Sequence, residues 1–282
     1  MELIAQMIKL IKSGSSTTSY YESMNQALHQ VNDEFTMLHY PFYGKRSDNF
    51  RQAQENLTRQ CLKHVEPLHG KSVLEIGCGN GVQTKFISEK YKPRYITGID
   101  LNRSNIKIAN REKSRRGIEN AYFLVDDAQN MQKIKDESFD VVLNIESAFH
   151  YPNKLSFLKE VYRTLVPGGK FLIADILTTR EPSKRGRKRW KRKMILHHWS
   201  LKEYLEGLKK VNLHVEHIED ITDEVIRGFQ NYRSWFKQMK KRSFLRTLAF
   251  RLFYFINIHL NIFLLTRRRQ YLIISGTKPS RP

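Results

Sequence analysis

Glu75 stands two residues ahead of a turn in which every second residue is glycine, Gly77-Cys78-Gly79-Asn80-Gly81. The apolar run around Val73, Leu74 and Ile76 and the sequence Gln83 to Ile87 behind it read as a buried strand turning sharply into a helix. Glycines let such a turn take positive φ and let a ligand touch bare backbone. A dinucleotide would need G-x-G-x-x-G to seat its pyrophosphate on the helix N-terminus. Here the third glycine comes one position early and Val82 holds its place. The carboxylate of Glu75 would repel a pyrophosphate and suit a cation. Further polar residues follow: Asp100, then Asp126-Asp127-Ala128, then Asn144-Ile145-Glu146-Ser147 and His150. An acid roughly 20 residues beyond the glycine turn, the place of Asp100, can hold two ribose hydroxyls. A carboxylate at Asp127 can accept from an adenine amino group.

These residues act together only if the fold brings them to one edge, and the hydropathy pattern says it does. Strands are expected over 72–76, 95–100, 121–125, 139–145 and 170–176, with helices near 82–90, 103–116 and 153–165. That alternation means a doubly wound α/β fold, a mostly parallel sheet covered on both faces, and ligands bind such sheets at the carboxyl ends of the strands. Every polar residue named above falls at such an end. S-adenosylmethionine carries a sulfonium and an α-ammonium but no phosphate, so the electrostatics favour it over NAD.

The chain has 282 residues and a formal charge of +21, an excess that calls for an anionic partner: nucleic acid, an acidic membrane or an anionic substrate. Cys61 and Cys78 lack metal-ligand spacing, so no metal and no disulfide is expected, and the setting fits a reducing cytoplasm. Leu3, Ile4, Met7, Ile8 and Ile11 recur at helical spacing, broken by Glu2, Lys9 and Lys12, which reads as a short amphipathic helix rather than a cleavable signal. A linker over 13–18 follows it. Residues 20–66 form a helical, aromatic-rich segment that either packs ordinarily on the body, its Tyr and His buried with one hydrogen bond each, or closes over a site, and Tyr43 within it is expected on the acceptor side. Lys184 to Lys193 is the densest basic run, with Trp190 embedded, and reads either as a solvated linker or as an anionic-lipid contact. Ser200 and Glu203 form a capping box for a helix over 201–210, and a strand is expected between Val211 and Ile221. The apolar stretch 243–266 approaches the length of a membrane span, but Arg251, Asn257, His259 and Asn261 interrupt it. A final strand over 270–275 would then be parted from its sheet. A helix lying on the membrane, or a lid over an apolar pocket, is the better reading of 243–266.

Val73 to Gly81, Ile96 to Asn102, Asp127-Ala128, Ser138 to Val142 and Leu165 to Gly169 together resemble a class I S-adenosylmethionine-dependent methyltransferase, over about Tyr20 to Leu177. Within that superfamily the chain is most similar to the small-molecule branch, with sterol C-methyltransferases and macrolide-sugar O-methyltransferases. Within that branch it particularly resembles the phthiotriolone and phenolphthiotriolone dimycocerosate methyltransferases. Tyr95 to Asn102, Asp136 to Asn144 and Glu146 to Pro152 carry that likeness. The resemblance implies a seven-stranded Rossmann-like sheet with its last strand antiparallel, and S-adenosyl-L-methionine as cofactor. It implies that Glu75 and the backbone of Gly77, Cys78 and Gly79 hold the methionine end, with Asn144 beside it. Asp100 would take the ribose, Leu101 would pack by the adenine, and Asp127 and Ala128 would read its edge. Tyr21 and His39 fall where the family's lid aromatics lie, Tyr21 toward the cofactor and His39 toward the acceptor. The chain departs from the family in Gln129 to Lys133, where a proline is usual, and in its basic, apolar C-terminal part.

The organisation expected is a helical lid over 1–66, a cofactor-binding core over 67–180, and a basic and apolar part over 181–282 that also supplies the closing strands. A methyl transfer to an alcohol needs a base with pKa near 7, and His150, just past strand four, is the candidate, or else an orienting hydrogen-bonding group. Glu146 would orient His150, or steady a developing cation in a carbon-methylating enzyme; Tyr151 would face the acceptor. The acceptor expected is a hydrophobic small molecule or lipid, met in the cytoplasm at the inner membrane surface through Lys184–Lys193 and 243–269. Two rivals stand beside this. A nucleic-acid methyltransferase lacks its marks here: there is no Asp/Asn-Pro-Pro-aromatic run after strand four and no Pro-Cys nucleophile. A non-catalytic lipid-surface protein on the same fold would not need every cofactor position filled.

Overall fold

The computed structural model describes residues 17–32, 34–44, 48–179, 196–231 and 244–280. The first dozen residues, the basic run 184–193 and the lysines before 243 lie outside these described residues. In chain order the elements are α1 (Thr17–Asn32), α2 (Phe50–Leu62), β1 (Ser72–Ile76), α3 (Val82–Tyr91), β2 (Tyr95–Asp100) and α4 (Arg103–Arg116). Then come β3 (Ala121–Val125), β4 (Phe139–Ile145), a single 3-10 turn (Ala148–His150), α5 (Lys154–Thr164) and β5 (Leu165–Thr178). The chain closes with α6 (Leu201–Lys210), β6 (His214–Asp220), α7 (Thr222–Gln230), α8 (Phe244–Arg267) and β7 (Arg269–Thr277).

Seven strands form one sheet in the order β3-β2-β1-β4-β5-β7-β6. β1 to β5 are parallel, and β7 runs antiparallel between β5 and β6. Alternation along the strands splits the core into two layers. Val73, Val141, Leu143 and Leu172 face α2, α3, α4, α7 and α8, while Leu74, Val142, Phe171 and Ile173 face α5 and α6. Between β1 and its neighbours β2 and β4 the chain reverses its direction of winding, which opens a crevice at the carboxyl ends of those strands.

Local signals account for most boundaries. Ser200 Oγ accepts from the Glu203 amide while the Glu203 carboxylate accepts from the Ser200 amide, the reciprocal cap that starts α6. Asn102 accepts from the amides of Ser104 and Asn105 at the start of α4, which Gly117 ends at φ +64°. Two boundaries differ from the sequence reading. Thr17 and Thr18, assigned to a linker, open α1. β5 starts at Leu165 rather than 170, because Lys278 accepts from Gly168 and donates to Gly169, extending the ladder across the Pro-Gly-Gly turn. The apolar stretch read as a helix is one, over 244–267, with Ile258, Leu264 and Leu265 buried, and Arg268 passes it straight into β7, between β5 and the edge strand β6. Among the described residues no helix is long and apolar enough to cross a membrane.

Candidate active site

A cavity of about 330 Å³ occupies the crevice at the ends of β1, β2, β3 and β4, roofed by α1 and the segment Met37 to His39. Its floor is the glycine turn. Gly77 and Cys78 both donate their amides to the Ile99 carbonyl, Gly79 donates to Asp100 Oδ2 at 2.9 Å, and Gly81 donates back to Cys78. With those amides spent inside the protein, the turn has little to offer a pyrophosphate, whose seat is made of free N–H groups. Gly77 sits at φ +77°, and a Cβ there would lie 2.2 Å from Ser147 Oγ, so β1 and β4 can close on each other only with glycine.

Glu75 lies beneath this floor, 3% exposed, and its Oε2 has no hydrogen-bond partner within the protein. Burial, reinforced by the like charge of Asp100, pushes its carboxyl up to about 8. A buried acid with an unused oxygen lining a cavity is suited to a cation that arrives with the ligand. Asp100 is also raised by burial, although the amides of Asn102 and Gly79 hold it partly in check. Asp126 is consumed by its own loop, its two oxygens accepting from the amides of Asp127 and Lys133. Asp127 accepts from the Gln129 amide through Oδ1, which leaves Oδ2 for an amino group. Leu101 is 65% exposed at the mouth, a large apolar face beside these acids.

The far wall holds His150, Tyr21 and Glu146. His150 Nε2 and the hydroxyl of Tyr21, which reaches down from α1, are 2.8 Å apart. Burial raises Tyr21 well above the ordinary phenol range, so it stays protonated and donates, and Nε2 accepts. Glu146, at φ +51° just past β4, sends Oε1 to the Tyr40 amide at 2.8 Å. Burial pushes this carboxyl too up to about 8, against the lowering effect of the Tyr40 hydrogen bond. A non-glycine residue held in the left-handed region next to a cavity is strain of the kind found at working sites. The 3-10 turn bearing His150 is held from behind by Lys154, whose buried ammonium donates to the carbonyls of Ala148 and His197, both at 2.5 Å.

Most residues singled out from sequence therefore meet at one cavity: Tyr21, His39, Glu75, Gly77, Cys78, Gly79, Asp100, Leu101, Asp127, Ala128, Glu146, His150 and Tyr151. Three residues singled out from sequence, Asn144, Tyr43 and His39, stand differently from what the sequence suggests. Asn144 is wholly buried behind the wall, donating to the Ile76 carbonyl and Ser147 Oγ, and ties β4 to β1. Tyr43 lies against Gly228 of α7, away from the cavity. His39 has both ring nitrogens engaged, Nδ1 with the Tyr40 carbonyl and Nε2 with Thr58 Oγ1 and Met37 Sδ, and burial lowers it to about 4. It is a neutral strut in the roof. Sequence reasoning missed a buried polar chain in which Asn80 donates to Asn25 and Asn25 to Asn105, whose amide reaches Asp100 at 3.4 Å. It fastens the lid helix to the glycine turn and to the carboxylate expected to hold ribose.

Comparison with known proteins gives this geometry its family. A family described as methyltransferase domain matches residues 68–237. Phthiotriol/phenolphthiotriol dimycocerosates methyltransferase 1 of Mycobacterium ulcerans (strain Agy99) is 39% identical over 135 residues, covering 48% of this chain and 48% of that protein. The match thus spans about half the length of that relative. Among solved structures, the 4+2 cyclase SpnF superposes with TM-score 0.73 at 18% identity, over 93% of this chain and 97% of that one. Geranyl diphosphate C-methyltransferase of Streptomyces coelicolor A3(2), solved with Mg2+, geranyl-S-thiolodiphosphate and S-adenosyl-L-homocysteine, superposes with TM-score 0.71 at 15% identity, over 95% and 98%. At such identities these two structures speak for the fold alone.

Proposed function

The chain belongs to the methyltransferase domain family, and from that premise we propose that it transfers a methyl group from S-adenosylmethionine to a hydroxyl of a hydrophobic, lipid-like small molecule. The observation that carries the cofactor is the buried, unpartnered Oε2 of Glu75 beside a turn whose amides are already spent. When bound, S-adenosylmethionine supplies a methyl group already activated by a positively charged sulfur. Glu75 would face the cationic end, Asp100 the ribose, and Asp127 with Leu101 the adenine. The named substrate of the mycobacterial relative, a lipid, favours a greasy acceptor over nucleic acid here as well.

The chain's own task is then to position the acceptor, exclude water and take a proton. Tyr21 and His150 form a ready relay for that proton. The acceptor O–H donates to the Tyr21 oxygen while Tyr21 passes its proton to His150 Nε2, so the alcohol gains nucleophilicity without Tyr21 becoming an anion. Tyr21 also belongs to the lid, so the relay exists only when the roof is closed. Glu146, engaged by the Tyr40 amide, fixes the roof segment over the cavity. The test is incubation with methyl-labelled S-adenosylmethionine and separate lipid, aqueous and nucleic-acid extracts. Label entering the lipid fraction, and lost in His150→Ala with cofactor affinity retained, is the expected result; label entering only nucleic acid would overturn the acceptor.

A further inference from the structure

Four of the eight large apolar side chains exposed among the described residues stand on α8: Phe255, Ile256, Leu260 and Phe263. Ile256, Leu260, Phe263 and Arg267 recur at i, i+4, i+7 and i+11, one stripe along the helix. The opposite stripe, Ile258, Ile262 and Leu265, packs into the core against the sheet. Over its described side chains, from Phe255 on, α8 therefore turns one face to the core and leaves Ile256, Leu260 and Phe263 exposed on the other, at a cost in free energy that calls for a partner.

Charge identifies the partner. From Val225 to the last residue the chain has 13 lysines and arginines and no aspartate or glutamate. The Arg267 guanidinium lies 5.4 Å from the centre of the Phe263 ring, at the end of the stripe, and Arg268 follows it, also exposed. A second copy of the chain would bring one charge of +21 against another. A nucleic acid would match the charge but bury none of the apolar stripe. An anionic bilayer takes both, with the apolar face at the boundary of the acyl chains and the arginines among the headgroups. We propose that α8 is an interfacial docking helix that lays Ile256, Leu260 and Phe263 on an anionic lipid bilayer.

Two hydrogen bonds connect this face to the cleft. The Tyr40 hydroxyl donates to Asn261 Oδ1 on α8 at 2.8 Å, and the Tyr40 amide holds Glu146. A helix docked on the bilayer thereby fixes the roof segment of the cavity as well, and brings the cleft to a surface where a lipid acceptor is concentrated. The inference deepens the lipid-acceptor reading and rests on it for its purpose, but not for its measurement.

The full chain is sedimented with vesicles of phosphatidylcholine alone and of phosphatidylcholine containing a quarter phosphatidylglycerol. Binding to the anionic vesicles, weakened by salt, is expected. Ile256→Ser, Leu260→Ser and Phe263→Ser together should lower partitioning on the order of a hundredfold. Arg267→Gln and Arg268→Gln should each lower it roughly fivefold. Affinity for S-adenosylhomocysteine by calorimetry, unchanged in each variant, shows that it is folded, and the single Leu260→Ser keeps the test open if the triple variant is not. Unaltered partitioning in a folded variant overturns the proposal. So does wild-type protein that ignores both vesicles yet retains RNA, or that dimerises through the stripe. Vesicle binding without lipid methylation would sink the acceptor alone.

Discussion

Replacing Glu75 by glutamine should abolish a proton that the protein otherwise releases when its cofactor binds. With the carboxyl raised to about 8 before the cofactor binds, only about one molecule in eleven has Glu75 ionised at pH 7. A positive charge about 4 Å away, at an effective dielectric near 20, favours the carboxylate by about 4 kcal/mol, or about 3 pKa units, which places the bound-state value near 5. Apparent affinity should then rise about tenfold per pH unit between about 5 and 8, and about 0.9 proton should leave at pH 7. Calorimetry in buffers of different ionisation enthalpy measures that proton directly. The α-ammonium of the cofactor titrates near 8 as well, but it is common to both proteins and cancels in the difference between wild type and Glu75→Gln. The two proteins should converge in affinity toward pH 5 and part as the pH rises. Equal proton release from both would refute the role given to Glu75, and a flat affinity from pH 5 to 8 would show that the cation does not sit beside it.

The relay predicts that Tyr21→Phe and His150→Ala each lower turnover by about 10²- to 10⁴-fold. His150→Ala should leave S-adenosylhomocysteine affinity nearly unchanged, which separates a proton role from a binding one; turnover retained in both variants removes the relay. Gly81→Ala should destabilise the fold by about 3 kcal/mol, since φ is +75° and the new Cβ would stand 2.6 Å from the Ala109 Cβ and 2.8 Å from the Phe123 ring. An unchanged denaturation midpoint would contradict that packing. For stability against pH, Glu75 and Glu146 are raised from 4.5 to about 8, so their contribution is complete below about 4.5 and is lost as pH rises through 8. His39, lowered from 6.5 to about 4, contributes above 6.5 and loses that as pH falls. The ligand-free melting temperature should therefore drop between pH 6.5 and 8, where no histidine gain offsets the glutamates, and S-adenosylhomocysteine should restore part of it. A melting temperature that rises across that window would show that the two carboxyls are not buried as acids.

What could be read from sequence is what nearest neighbours decide. A strand's period of two, a capping box and a glycine spacing are local, so β1 to β4, α4 and α6 stand where the pattern puts them, and Glu75 and Asp100 follow because a strand's end fixes its last side chains. The lid is another matter. Whether His39 faces an acceptor or braces the roof depends on Thr58, 19 residues on, and whether Asn25 matters depends on Asn80 and Asn105, 55 and 80 residues on. No periodicity carries such pairings. Asn144 and Glu146 show the same limit within three residues. Both follow a clear strand pattern, but Asn144 turns inward to tie β4 to β1, and Glu146 leaves the strand at φ +51° to meet Tyr40, 106 residues earlier. The floor of the cavity is thus written in the sheet, whereas its roof is assembled by α1 and the segment Met37 to His39, with few local marks. That division gives the substitutions above their order of risk. Changes at Glu75 and Gly81 test the sheet, whose geometry the sequence already implies, while Tyr21→Phe tests a contact across 129 residues, between α1 and the turn past β4.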